Sequence, residues 1–444
     1  MHVQLEDTTD LISRREFVRG VSAAVGSACF AGCLSDRPVV GSPAWERGRL
    51  QIHMIYTGTA ESFFLIFPDG TSLLMDCGDS DPATFRVKEF GRKDLPVLPS
   101  PDRRAGEWIA RYVARVNPHG RDVDYMLLTH FHADHSGTTK FGRSGFLLAS
   151  ETLRFKKAID RGWPNYDDPL PYGADPRRMG GSLGLMKKTY ALLSRRDGLA
   201  VEKFAVGKRD QISLLHDPGA FPDFSVFNIC GNGKVAMKDG RIVDCYAHEH
   251  AQHRECVYNE NAMSVGVVIS YGDFKFFNAG DFSPSDGRKG EFEGRKMDIE
   301  DILALACGEV SVAKANHHAA WSCPPSLVAA LRPRVWLAPV WWQLQCDRGT
   351  MMRLSSREAY PGDRLLLPGV LCAERRKRDD GCGYLADVPT AAHTPSHVVI
   401  DVAPGGGAYA VFCLDPSDET CRVKASWRLQ SNLKKRNWGT EVER

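Results

Sequence analysis

Thr129-His130-Phe131-His132-Ala133-Asp134-His135-Ser136-Gly137 sets three histidines and an aspartate at H-x-H-x-D-H spacing, directly after the apolar run Tyr125-Met126-Leu127-Leu128. The apolar run predicts a buried strand over 124–128, so the cluster begins where that strand ends. His130 and His132 are two residues apart. In an extended segment their side chains project to one side, where two imidazoles can hold one metal ion. Asp134 and His135 fall where the strand gives way to a turn, and Ser136-Gly137 allows a helix to begin and swing them towards a second ion. Two divalent cations about 3.5–4 Å apart can activate a water and stabilise both attacking and leaving oxygens.

Outward from this cluster, short apolar runs alternate with glycine turns. Strands are expected at 50–56, 62–67 and 72–75, the last ending at Asp76-Cys77-Gly78, with a helix near 108–116. The stretch 148–222 is poorly patterned apart from a helix over 183–195, and it reads as an insertion. Strands resume at 224–229, followed by a hairpin around Lys238-Asp239-Gly240-Arg241. A second strand pair, 264–270 with 274–278, is joined at Tyr271-Gly272-Asp273. Helices at 297–306 and 325–331 then alternate with strands at 310–315 and 334–338. Two rounds of strands with interspersed helices predict a layered α/β arrangement.

The 444 residues, 43% hydrophobic and 25% charged, can bury a substantial core. A net charge of +2 gives no global field for a polyanion, so nucleic acid is possible as a partner but not indicated. The basic clusters 375–378 and 434–436 read as solvated surface. Thirteen cysteines include no C-x-x-C pair, which argues against a zinc ribbon; Cys372 with Cys382 and Cys413 with Cys421 have spacings at which disulfides are conceivable, with buried free thiols the equal alternative. His53, His119, His216, His393 and His397 read as surface or hydrogen-bonded histidines. Trp341-Trp342 and the Trp163/Tyr166 pair read as packing, and are the first aromatics to test for substrate contact.

Residues 1–40 are expected to be a leader outside the fold. Ser13-Arg14-Arg15-Glu16-Phe17-Val18-Arg19 resembles the twin-arginine export motif, and the small apolar stretch from Val21 to Ala31 is too short to span a bilayer. Phe30-Ala31-Gly32-Cys33 resembles a lipobox, with Cys33 as the residue that would carry lipid. The expected location is the periplasm or cell envelope, with membrane contact only through that anchor.

The histidine cluster resembles the signature of the metallo-β-lactamase-fold hydrolases, whose fold is a four-layer αββα sandwich. Asp76 is similar to the aspartate that braces the site from a strand end, Asp281 in Asn278-Ala279-Gly280-Asp281 to the metal-bridging carboxylate, and His317-His318 after Lys314-Ala315-Asn316 to the last ligand motif. Within the superfamily the likeness is to the hydrolase domain of ComEC-type proteins, carried by Asn259-Glu260-Asn261-Ala262-Met263-Ser264-Val265, Tyr271-Gly272-Asp273-Phe274 and Asn316-His317-His318-Ala319. That subgroup ends its last motif in Gly-Ser, where this chain has Ala319-Ala320.

The resemblance implies a hydrolase domain over 48–400 with the insertion at 148–222, and a C-terminal extension over 401–444. It implies His130 and His132 on metal one, Asp134, His135 and His318 on metal two, and Asp281 between them. Asp134 and His317 would be catalytic, the first orienting a metal-bound hydroxide and the second polarising the substrate oxygen. Asp76 and Asn261 support the site. Asn261 stands where many relatives place a third histidine, so the ions implied are two zincs, with manganese possible at the first site. His248-Glu249-His250-Ala251-Gln252-His253 is an alternative source of imidazoles and otherwise a polar loop. The substrate implied is a phosphodiester; a small-molecule lactam or lactone suits the same residues, and a catalytically degenerate metal-binding envelope protein is the third reading.

Overall fold

The computed structural model describes residues 43–80, 95–138, 142–168, 182–247, 260–283, 290–342 and 345–431. The proposed leader and the 248–253 cluster lie outside these residues. The first six strands are β1 (Leu50–Met54), β2 (Phe63–Ile66), β3 (Ser72–Met75), β4 (Asp122–Leu127), β5 (Arg154–Asp160) and β6 (Ala200–Lys203). Between them lie helices α1 (Ala105–Val116), α2 (Ala133–Ser136), α3 (Gly145–Ala149) and α4 (Ser182–Asp197).

The next five strands are β7 (Phe224–Gly231), β8 (Lys234–Ala236), β9 (Ile242–Asp244), β10 (Gly266–Tyr271) and β11 (Phe274–Asn278). There follow β12 (Gly290–Phe292), β13 (Arg295–Met297), α5 (Ile299–Ala306), β14 (Val312–Lys314), α6 (Pro325–Leu331), β15 (Val335–Ala338), α7 (Arg348–Leu354), β16 (Leu365–Pro368) and α8 (Ala373–Arg378). The last strands are β17 (His397–Val402), β18 (Ala408–Leu414) and β19 (Val423–Gln430).

Among the described residues these strands form two large sheets, with β12 and β13 as a separate pair. One has the order β19-β18-β17-β1-β2-β3-β4-β5-β6; the other is β16-β15-β14-β11-β10-β7-β8-β9. The expected α/β sandwich is therefore the architecture. Period-two alternation builds its layers: Phe63 and Leu65 of β2 and Leu73 and Met75 of β3 enter the core between the sheets, where Phe63 meets Phe276 of β11 at 6.1 Å between ring centroids. Phe64 and Leu74 face the other way, onto Ile109 and Val113 of α1. On the second sheet β11, β14 and β15 are parallel, so their connections through α5 and α6 cross over and lay those helices against it.

Two boundaries differ from expectation. The stretch 148–222, expected as an insertion, supplies β5 and β6, which continue the parallel half of the first sheet from β4. Its weak patterning follows from composition: β5 reads Arg-Phe-Lys-Lys-Ala-Ile-Asp, with charged residues around the buried Phe155 in its first half and unbroken burial only from Ala158 onward. The expected extension after residue 400 is also sheet. β17 pairs antiparallel with β1 and carries β18 and β19 beyond it, so residue 400 falls inside a strand. The cysteines expected as disulfide candidates, Cys372, Cys382, Cys413 and Cys421, are free thiols.

Candidate metal centre

β4 ends at Leu127, and the histidine cluster follows as a loop running into α2. Phe131 is fully buried against the Tyr166 ring, 5.5 Å between centroids, while His130 and His132 turn together, Nε2 of the first 3.0 Å from Nδ1 of the second. Tyr166 is thus packing behind the loop, its hydroxyl donating to Asp160 at 2.6 Å. The loop is also clamped from the other sheet: Phe131 N donates to Glu260 Oε1 (3.1 Å), and Glu260 is held by Arg161 through Nε and Nη2 at 2.7 and 2.8 Å, both side chains fully buried. Asn261, in the same 3₁₀ turn Glu260–Met263, is buried.

Two loops underlie α2. Asp134 O accepts from Glu61 N (2.8 Å), His135 O from Cys77 N (2.9 Å) and Ala133 O from Asp79 N (3.0 Å). A Cβ on Gly78 would lie 1.6 Å from Asp134 O, so this approach admits only glycine. Asp76, at φ 58°, accepts from Thr129 N at 2.8 Å and Thr129 Oγ1 at 2.7 Å, and its Oδ2 lies 2.8 Å from His135 Nδ1. With Nδ1 committed to Asp76, Nε2 of His135 is the atom turned inward.

His318 enters from the turn Asn316–Ala319 between β14 and α6, where His317, His318 and Ala319 have φ of 48°, 56° and 56°. Its Nδ1 donates to Pro339 O at 2.9 Å, and its Nε2 lies 2.9 Å from Asp134 Oδ2 and 3.1 Å from Asp281 Oδ2. Asp281 Oδ2 is also 3.2 Å from His135 Nε2 and 3.9 Å from His130 Nε2. One carboxylate oxygen therefore faces imidazoles from both halves of the signature. His317 is only partly buried, its ring 6.0 Å from that of His318 and 6.3 Å from that of Trp321. Trp341 Nε1 donates to His318 Nε2 at 3.3 Å, which puts the indole at the edge of the cluster.

Two residues of the cluster escape the motif. Glu61 and Lys314 are fully buried; Glu61 Oε2 lies 3.1 Å from His318 Nδ1, 3.1 Å from Lys314 Nζ and 4.0 Å from His135 Nε2. Ligand atoms of Glu61, His135, Asp281 and His318 all lie within 4.8 Å of one another. A charged residue closing the otherwise apolar strand Val312–Lys314 was the available signal, since a buried lysine requires a partner.

Glu61, Asp76, Asp134 and Asp281 are four buried carboxylates against a single ammonium. Burial opposes ionisation of Asp134 and Asp281, yet neighbouring imidazoles hold both well below the usual carboxylate range, with Lys314 adding to the effect at Asp281. The same carboxylates raise His135 and His318 well above the ordinary histidine value, against their burial. His130 moves the other way, pushed down by burial and then by His135 and His132. A concentration of negative charge this deep is costly without cations, and imidazole nitrogens with carboxylate oxygens are the donors divalent metals take. The residues present fit a metal ion.

No curated protein matches the chain. Residues 56–141, from the loop before β2 through Asp76 to the histidine cluster, match the family model of the metallo-beta-lactamase superfamily.

Proposed function

We propose that the chain is an exported, divalent-metal-dependent hydrolase with a two-metal centre, acting on a phosphodiester. The observation that carries the metal-dependent reading is Asp281 Oδ2, a single oxygen within 3.9 Å of His130 Nε2 and within 3.2 Å of both His135 and His318 Nε2. His130 and His132 would hold one zinc or manganese, and Asp134, His135 and His318 the other, with Asp281 shared. When bound, such ions lower the pKa of water and neutralise charge developing on the substrate. Asp134 accepts a hydrogen bond from the attacking water and fixes its direction. Asp76 holds His135 through Nδ1.

Burial lowers the pKa of His317, which favours the neutral imidazole near pH 7, and its partly buried ring can donate an N–H to the substrate oxygen that becomes negative. The phosphodiester class rests on the resemblance of segments 259–281 and 314–319. Export rests on Ser13–Arg19, and a lipid anchor on Cys33. The test is metal content of the purified chain together with hydrolysis of an activated phosphodiester, a lactone and a cephalosporin, each with and without Asp134→Ala. Two metals per chain and phosphodiester turnover at least ~100-fold above the Asp134→Ala background are expected. Preference for the cephalosporin or lactone would replace the substrate class, and metal binding without turnover would make the chain a binding protein.

A further inference from the structure

Lys314 is a fully buried ammonium at the floor of the cluster, where its charge opposes the entry of any other cation. Its Nζ donates to Gly280 O and to Asp281 Oδ1 (3.0 Å) and pairs with Glu61 Oε2 at 3.1 Å. It therefore occupies one oxygen of the shared carboxylate and leaves Oδ2 for the imidazole side. Glu61 groups with His135, Asp281 and His318, their ligand atoms within 4.8 Å of one another, and its Oε1 is buried with no hydrogen-bond partner among the described residues. This carboxylate could reach the centre and is turned onto Nδ1 of His318 instead.

We propose that Lys314 is a guard cation that keeps Glu61 and Asp281 Oδ1 out of the metal's coordination shell, leaving a position open for water and substrate. The assignment rests on the metal-centre reading above. A catalytic metal site needs such an open position, whereas a site saturated by protein donors is structural. Two imidazoles with Asp134, Asp281 and a freed Glu61, each carboxylate able to bind through two oxygens, would close it. Lys314 thus trades metal affinity for access, and Glu61 in turn neutralises Lys314 and lies against Nδ1 of His318.

The trade predicts opposite signs for two substitutions, read by cobalt(II) and zinc(II) titration of the full chain against a competing chelator. Lys314→Met frees Glu61 and is expected to bind metal about tenfold more tightly, with weaker visible cobalt absorption as the coordination number rises. Glu61→Gln leaves the ammonium under-neutralised and is expected to weaken binding about tenfold. Joining the two in Glu61→Gln/Lys314→Met removes the tightening, while Lys314→Arg keeps the wild-type affinity and spectrum.

If Lys314 merely braced the fold, Lys314→Met would bind metal more weakly with an unchanged spectrum, and that result overturns the proposal. If Lys314→Met does not fold, Glu61→Gln and Lys314→Arg decide: equal affinity in wild type and Glu61→Gln overturns it. A wild-type chain that binds no divalent metal overturns the metal centre itself and this assignment with it. Metal-loaded wild type with unaltered variants overturns the guard role alone.

Discussion

Asp76 is a non-glycine residue at φ 58°, a conformation that aspartate tolerates at a cost of about 1 kcal/mol. Its two oxygens offset that cost, one on Thr129 N and the other on Thr129 Oγ1 and His135 Nδ1. Burial raises its pKa, and the neighbouring imidazole pulls it back only in part. Without the carboxylate, His135 keeps its place in α2 but loses the partner that fixes its ring, so Asp76→Ala should weaken metal binding by roughly 10- to 100-fold. Chelator competition measures this, and undiminished affinity would show that α2 alone orients the ring. Asp76 was legible because it closes an apolar strand at the expected distance before the cluster. Glu61 was not: Lys314 and His318 lie more than 250 residues from it, and a lysine closing an apolar strand signals that it needs a partner without naming one.

The turn Asn316–Ala319 shows what an element needs to hold several strained residues at once. His317, His318, Ala319, Trp321 and Cys323 all have positive φ, and the resemblance would place glycine where Ala319 stands. The turn persists because Glu300 of α5 accepts from Asn316 Nδ2 at 2.8 Å and Cys323 N at 3.0 Å, while Asp347 N donates to Ala319 O at 2.9 Å. The helix and the strand before the turn were legible from period and punctuation, and the turn only from the resemblance of its His317-His318 motif. The carboxyl joining them was not, since Glu300 in sequence is one of two acids opening a helix.

Burial pushes the Glu300 carboxyl up from 4.5 to about 8, its hydrogen bonds and Arg353 opposing this only in part. Between those values the folded chain keeps a proton that the unfolded chain releases. This group therefore contributes stability that is full below about pH 4.5 and is lost as pH rises through about 8. Wild type should lose stability relative to Glu300→Gln by roughly 1.4 kcal/mol per pH unit across that window. Urea denaturation of both proteins from pH 5 to 8 checks it, and parallel curves would show that Glu300 is already ionised.

Across the whole molecule, the layered α/β class was legible from the order of strands and helices, but the width of the first sheet was not. β17 returns to pair with β1 some 350 residues earlier and carries β18 and β19 beyond it, and alternation alone never names a strand's partner. The two sheets meet beside the histidine loop, where Arg161 at the end of β5 and Glu260 just before β10 form a fully buried bidentate pair that also takes in Asn232 Oδ1 at 3.2 Å. Such a pair adds little net stability over apolar residues of the same volume, because desolvating two charges offsets most of their attraction. Removing one partner strands the other, so Glu260→Leu should cost about 3–5 kcal/mol. Arg161→Met/Glu260→Leu should recover most of that loss in denaturant unfolding, because no charge is left uncompensated. The double variant still lacks the acceptor for Phe131 N, so its metal affinity should stay below wild type even where its stability returns. Full recovery of both quantities would mean that the pair fills space between the sheets without positioning the loop; recovery of neither would mean that the apolar pair cannot pack there.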